Sequence, residues 1–538
     1  MRLANRRFVA FVLAIVFCIG TFNAFLSVKE VSAEGGYKDR IVRVGMYVST
    51  SLIDTRRFSA KNTSSTGFDI GYASGSNFST AFSISSKSIV ILPHVNASVN
   101  ASTGNGSPSE NGNIGAYSAV IGAFSSWSAA HNAASAFPDG FVAVVKGGFE
   151  ARRFPSTNAQ TVIEKSNNGI VTAPVSGGLT VLDSNTGKIL FTFEDTSRRF
   201  ALRARNGGTV ALPTGESTVR NYYGFFEYSV SGGKLKMINC LPLEMYTKCV
   251  MSVEIGTNFS AENRKAFSLL VRTFAMACKH GSDFNVCPTT CCQVYPGTYR
   301  MSESNNAIVD ATRGMYLTYN GSPISAQYHI SNGGATCSAL AAWGSRSVPY
   351  LTTVFQEEDK EGIKWEHTYT KQEFYEYIKS RKAFSSLSGK NLSMKILSTD
   401  PYGSDFITHL SVSDGKGNTV DVKSAEDVRV AVGYKSANFD IEYATEVKVL
   451  GSDGKVTTKK ITGVMTTDGY KPFESFGDSY MTVMGESIEP ETVKINGSGA
   501  GHGVGYSVWG AEQLAKDGYN FKYILSVYYQ GTTISKAS

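Results

Sequence analysis

Short runs of Val, Ile, Tyr and Phe recur along most of this chain, each closed off by Gly, Ser, Asn or Asp within a few residues. Ile41-Val-Arg-Val-Gly-Met-Tyr47 is the first of them, and turn signals such as Asp183-Ser-Asn-Thr-Gly187 and Ser231-Gly-Gly233 separate later ones. β-Branched and aromatic residues between such punctuation read as strands and hairpins. Helical spacing is scarce, so the sequence predicts a strand-rich α+β protein. At 538 residues the chain is too long for one core, and two to four domains are expected. Charged residues make up 18% and hydrophobic ones 42%, which excludes wholesale disorder.

The first 33 residues set the compartment. Arg2, Arg6 and Arg7 precede an apolar run from Phe8 to about Leu26, and Val31-Ser-Ala33 before Glu34 suits a signal peptidase. The run is nearly long enough to span a bilayer, so either a cleaved signal peptide or a retained signal-anchor is expected. Both place the rest outside the cytoplasm, secreted into the cell-wall space or held at the membrane. The net charge is +7, of which Arg2, Arg6, Arg7 and Lys29 against Glu30 supply three. The remaining bias is compatible with an anionic polymer and too small to point to nucleic acid.

The rest divides by composition. A small β-rich region is expected over 40–94, and an Asn/Ser/Gly linker over 95–116. Over 117–167 the rhythm is strand, helix, strand, with Trp127 and His131 on the helix-like stretch. With Arg153-Phe-Pro-Ser-Thr157 it resembles a SPOR domain, a module that binds glycan strands stripped of peptides; an unrelated α+β insertion is the alternative. Residues 168–538 form the last region, with a loop-rich insert at 441–490 in which Gly451-Ser-Asp-Gly454 reads as a hairpin turn.

Helical periodicity begins near Leu241, where Pro242 suits a first helical position and Tyr246, Cys249, Val250 and Val253 share a face. Gly256 ends it, and Ser260 caps a second helix carrying Phe267, Leu270, Val271 and Phe274. A charged helix is expected over 371–382. Glu254 falls in the last turn of the first helix, where the macrodipole and flanking Val253 and Ile255 favour a neutral carboxyl. A carboxyl tuned this way suits a general acid; a solvated surface glutamate is the alternative.

Three further clusters carry chemistry. Gly497-Ser-Gly-Ala-Gly-His-Gly-Val-Gly505 bends too tightly for a helix or strand and presents His502, but lacks the Gly-Lys-Ser/Thr ending of a phosphate loop. Tyr328-His329-Ile-Ser331 leads into a polar Gly-Gly turn. Seven cysteines, Cys240, Cys249, Cys278, Cys287, Cys291, Cys292 and Cys337, follow Cys18 within one segment, an odd number that cannot pair completely. Cys287-Pro-Thr-Thr-Cys291-Cys292 suggests zinc, but no His follows within twenty residues, so a disulfide is at least as expected and no metal ligand set is assigned.

Taken in order, Tyr223-Gly-Phe-Phe-Glu, Leu241-Pro-Leu-Glu-Met-Tyr246, Val250-Met-Ser-Val-Glu254, Val271-Arg-Thr273, Cys292-Gln-Val-Tyr295, Ala311-Thr-Arg-Gly314, the 328–336 segment, Gly433-Tyr-Lys-Ser436 and Gly501-His-Gly-Val-Gly-Tyr-Ser507 resemble the stage II sporulation protein D family over about 220–535. The resemblance implies a lytic transglycosylase that cleaves peptide-free peptidoglycan between N-acetylmuramic acid and N-acetylglucosamine, leaving anhydro-muramic ends, during engulfment in sporulation. It implies Glu254 as acid/base, with Glu244 second, and Arg272, Tyr328, His329, Ser331 and His502 on the glycan. No cofactor is required; some members bind zinc through the Cys of the Cys-Gln motif and a nearby His, which leaves Cys292 as the candidate ligand and zinc in question. Expected partners are glycan strands and an amidase or endopeptidase of the same machinery, with the cytoplasmic membrane if the N-terminal segment is retained. The alternative is a non-catalytic wall-binding protein that enhances an amidase.

Overall fold

The computed structural model describes residues 40–47, 57–213, 218–344, 347–356, 362–481 and 487–537. The N-terminal export segment lies outside the described residues; among the described helices none is long and apolar enough to cross a membrane. The protein is a strand-rich α+β chain, as its turn-punctuated sequence predicts.

Two compact units emerge. The first comprises 40–257, 274–315 and the last few residues. Its centre is a ten-stranded sheet in which Ser88–Pro93, Leu179–Asp183 and Ile189–Phe193 lie side by side. Ile89, Val90, Ile91 and Leu92 are all fully buried, which accounts for their uninterrupted apolar run: a strand covered on both faces has no polar side to present. Beside it, a six-stranded sheet pairs the first strand, Ile41–Tyr47, antiparallel with Lys234–Pro242.

The expected boundaries do not survive this pairing. Residues 95–116 are not a linker: Ala97–Asn100 pairs with Asn105–Pro108, and Ala97, Val99, Ile114 and Ala116 are buried. Alternating small apolar side chains supply a core that the surrounding Asn, Ser and Gly conceal in composition. Nor does a new region begin at 168, since strands from 179 onward pair back with Ser88–Pro93 and Phe141–Val145.

The 117–167 rhythm extends one strand further than expected. Tyr117–Phe124, the Trp127–Ser135 helix, Phe141–Val145, Gly148–Ser156, the Ala159–Lys165 helix and Val171–Thr172 give a βαββαβ order. The strands run fourth, first, third, second across the sheet. Ser126 and Asn158 cap the two helices through their side chains.

The second unit comprises 258–273 and 316–535. A four-stranded antiparallel sheet orders Lys364–Thr370, Thr492–Ser498, Phe439–Leu450 and Val456–Ile461. The hairpin turn expected at 451–454 joins the last two, with Leu450 opposite Val456 and Gly451 N–H donating to Lys455 O at 2.8 Å. The charged helix is Lys371–Lys379, closed by a reciprocal capping box between Thr370 and Glu373.

Candidate functional site

Strand Lys234–Pro242 runs directly into the helix Leu243–Glu254, so the helix starts two residues later than its periodicity suggests and Pro242 is the N-cap. Leu243, Tyr246, Cys249 and Val250 form its buried face. Glu244 occupies the first turn, buried, and its Oε1 accepts from Gly314 N–H at 3.2 Å.

Glu254 is the last residue of this helix and is half-buried. Gly256, at φ 68°, lets the chain turn away at once. Buried Asn305 locks the turn: its Nδ2 donates to Gly256 O at 2.8 Å and more weakly, at 3.4 Å, to Met251 O, which the backbone N–H of Gly256 also reaches at 3.2 Å. Glu254 Oε1 accepts from the backbone N–H of Val294 at 2.6 Å.

Val294 belongs to a cysteine-rich loop, and here the structure corrects the sequence reading. A histidine does join the thiols, but it precedes them. His280 N–H donates to Asn285 O at 2.9 Å and Gly281 N–H to Phe284 O at 3.3 Å, folding the 280–286 segment back on itself. His280 Nδ1 thereby lies 3.1 Å from Cys292 Sγ and 3.6 Å from Cys291 Sγ. With Cys287, four ligand atoms lie within 4.8 Å of one another. The spacing His-x6-Cys-x3-Cys-Cys is visible in the sequence to a search that looks upstream as well as down.

The loop is fastened to the first strand: Gly45 N–H donates to Val286 O at 3.0 Å and Asn285 N–H to Arg43 O at 2.9 Å. Gly45 admits the Phe284 ring, which a Cβ would meet at 2.8 Å. Arg43 forms a two-pronged pair with buried Glu227 beneath the loop. Hydrogen bonds from Cys291 and Cys292 hold the Cys287 pKa well down, while those of Cys291 and Cys292 are raised, chiefly by Cys287 and by Cys278 respectively. Cys278 Sγ stands 4.0 Å from Cys292 Sγ. Three thiols and an imidazole converging on one point are a donor set for zinc.

In the second unit the glycine segment wraps the 328–336 segment. Tyr328–His329 pairs in parallel with Tyr506–Ser507, and Ser331 bridges to Ala500. Gly499, Gly501, Gly503 and Gly505 all have positive φ, and a Cβ on Gly503 would meet the Phe406 ring at 2.3 Å. His329 Nδ1 donates to Val504 O at 3.2 Å, while His502 Nδ1 accepts from Val504 N–H at 3.0 Å and its ring packs against His329 and Trp343.

His329 and Ser331 are 4% and 1% exposed, so they shape the loop from within and do not present side chains to a solvent-borne glycan. Burial, then the neighbouring His502, pulls the His329 pKa down to about 3; burial, then Arg429, pulls that of His502 down to about 4. Both rings are neutral near neutral pH. Tyr328 is half-buried with its ring edge-on to Phe267. Arg272 is wholly buried on the Ala261–Ala277 helix, with Nη1 donating to Ser268 O at 3.4 Å. Glu254 and Arg272 belong to different units.

The family model described as stage II sporulation protein matches residues 231–319, the stretch that holds Glu254, Glu244, Arg272 and the cysteine loop. Over those residues the chain is similar to the stage II sporulation protein family. The amidase enhancer of Bacillus subtilis is 30% identical over 302 residues, covering 54% of this chain and 40% of that protein. The stage II sporulation proteins D of Bacillus subtilis and Bacillus amyloliquefaciens are 28% and 27% identical, each match covering 55% of this chain and 75% of the relative. Against the amidase enhancer, then, this chain spans well under half the relative's length.

Proposed function

We propose that this protein is a peptidoglycan lytic transglycosylase acting on peptide-free glycan strands, with Glu254 as its single acid/base. The observation that carries the reading is Glu254 itself, set at a helix end with one oxygen on Val294 N–H. The carboxyl protonates the leaving glycosidic oxygen, then takes the proton of the muramic acid's own primary hydroxyl as that oxygen closes on the anomeric carbon. An internal nucleophile removes the need for a second carboxylate. Glu244 is buried and Glu254 half-buried, which favours Glu254 for a role that must reach a glycan.

His280, Cys287, Cys291 and Cys292 would hold a zinc ion, which when bound cross-links the loop. What the chain itself then does is hold the Val294 N–H in place and so fix one oxygen of Glu254. Tyr328 and the glycine loop framed by His329, Ser331 and His502 shape the glycan contact of the second unit, with Arg272 ordering the helix beneath it. The βαββαβ module at 117–172 is proposed as a further glycan contact. The setting is the cell-wall space during engulfment, with the N-terminal segment as signal or anchor.

A second reading follows from the amidase enhancer relative: wall binding that stimulates a partner amidase, without cleavage. Incubating the chain with peptide-free and peptide-bearing strands separates the two. Release of shorter glycans from peptide-free strands alone supports the enzyme; binding without release, together with faster peptide removal by an added amidase, supports the enhancer.

A further inference from the structure

The cysteine loop covers only part of the six-stranded sheet in the first unit. Phe284 and Cys287 pack on Ala73, Ala201 and Phe225 of one sheet face. Beside that cover the face opens into a solvent-filled cleft of about 580 Å³, lined by Arg43, Tyr72, Arg198, Arg199, Ser282 and Asp283. A cleft of this size admits a sugar unit. The Arg198 and Arg199 side chains are 50% and 55% exposed, so the cleft presents two neighbouring guanidinium groups to solvent.

The ion pairs that touch the cleft do not cancel. Arg43 is engaged by Glu227 through both Nη nitrogens and donates from Nε to Asp283 O at 2.7 Å. Lys236 holds the Asp283 carboxylate. Arg199 reaches only these same two acids, Glu227 at 3.4 Å and Asp283 at 3.9 Å. Arg198 keeps Nε 3.2 Å from Asp195 Oδ2 and lies over the Tyr72 ring, 4.4 Å from its centre. Its two Nη nitrogens have no hydrogen-bond partner among the described residues. Four cations therefore face three acids, and the surplus rests on the two exposed arginines. Further along, Arg203 and Arg205 share Asp69 at 3.2 and 3.9 Å, a second surplus of one. Arg203 follows Arg199 on one strand face, about 13 Å away.

A guanidinium with both terminal nitrogens open takes a carboxylate through two parallel hydrogen bonds. Surpluses of one charge, set apart, are too sparse for a polyphosphate backbone and suit a polymer with single negative groups at intervals. A peptide-free glycan strand is such a polymer. Hydrolysis of the amide that joins a stem peptide to the lactyl group of muramic acid leaves a carboxylate on that sugar, where the peptide-bearing strand has an amide.

We infer that the Arg198–Arg199 cleft binds the lactyl carboxylate uncovered on muramic acid, and so selects strands from which the peptides have been removed. The inference rests on the glycan-cleaving reading and names the group by which that substrate is recognised.

The test uses the full chain bearing Glu254→Gln, titrated calorimetrically with two ligands: peptide-free strands, and the same strands after their carboxylates are converted to methylamides. Methylamidation is expected to weaken binding about tenfold, the loss of one charge-assisted pair. Adding Arg198→Gln weakens binding of the untreated strands by the same factor and leaves that of the methylamide strands unchanged. The comparison of the two ligands needs no substitution at the cleft, so it stands whatever Arg198→Gln does to folding. Equal affinity for the two ligands, or an Arg198→Gln loss that is the same for both, overturns the inference. So does binding of a polyol phosphate polymer as tight as that of the untreated strands. Cleavage by the chain with Glu254 intact is scored separately. Carboxylate-dependent binding in a chain that never cleaves keeps the cleft and removes the enzyme; cleavage with equal affinity for both ligands removes the cleft alone.

Discussion

The backbone N–H of Val294 donates to Glu254 Oε1 at 2.6 Å, two residues beyond Cys292. The proposed acid/base is therefore positioned by the same loop that gathers His280 and three thiols, and disturbing the loop disturbs the carboxyl. Supporting contacts of this kind are worth roughly ten- to a hundredfold when lost. Cys292→Ser is expected to lower glycan cleavage by about that range and to abolish binding of one zinc per chain, read by elemental analysis. Full activity in a zinc-free variant would detach the loop from the chemistry.

Asn305 gives a stability prediction with a local cause. Its side chain is 1% exposed and donates to the two carbonyls at the turn after Glu254. Asn305→Ala removes the side-chain donor from Gly256 O and leaves Met251 O to the backbone N–H groups of Ile255 and Gly256, at a cost of about 1–3 kcal/mol by denaturant unfolding. A cost near zero would mean the turn is held by other contacts.

Gly503 and Gly518 separate backbone strain from crowding. Both have positive φ, 77° and 92°. A Cβ meets Phe406 at 2.3 Å at Gly503 and nothing within 4 Å at Gly518. Gly518→Ala is expected to cost about 1 kcal/mol and Gly503→Ala distinctly more, since a ring in a packed core must also move. Equal melting temperatures for the two variants would contradict the account of the glycine loop.

The two histidines of that loop predict an acid-side loss of stability. Their folded pKa values, about 3 and about 4, lie below the unfolded value, so the unfolded chain takes up protons first as pH falls. The stability they contribute is complete above pH about 6.5 and declines below it, by up to about 1.4 kcal/mol per pH unit for each ring. Unfolding midpoints in urea should fall between pH 6.5 and 4.5, and fall less in His329→Gln. Equal slopes for the two chains would place His329 in contact with solvent.

Much of this arrangement is legible in the sequence because it is local. The end of the first helix follows from Gly256 and the hairpin at 451–454 from its own turn residues, while the charged helix starts at 371 as expected but ends at 379 and not at 382. What escapes is set by distant partners. Polar composition hides the buried Ala97, Val99 and Ile114, and no local pattern shows that strands near 90, 142 and 180–193 make one sheet. His280 escapes because a turn through Phe284, held by the first strand near Gly45, reverses its direction onto the thiols. His329 and Ser331 look presentable in an alternating strand, yet the glycine loop closes over them.

The central claim is that Glu254 alone serves as acid and base. The most direct measurement is the mass of the ends released from peptide-free strands by the intact chain and by Glu254→Gln. The account predicts anhydro-muramyl ends from the intact chain and none from the variant. Reducing ends, or release that survives Glu254→Gln, would contradict it.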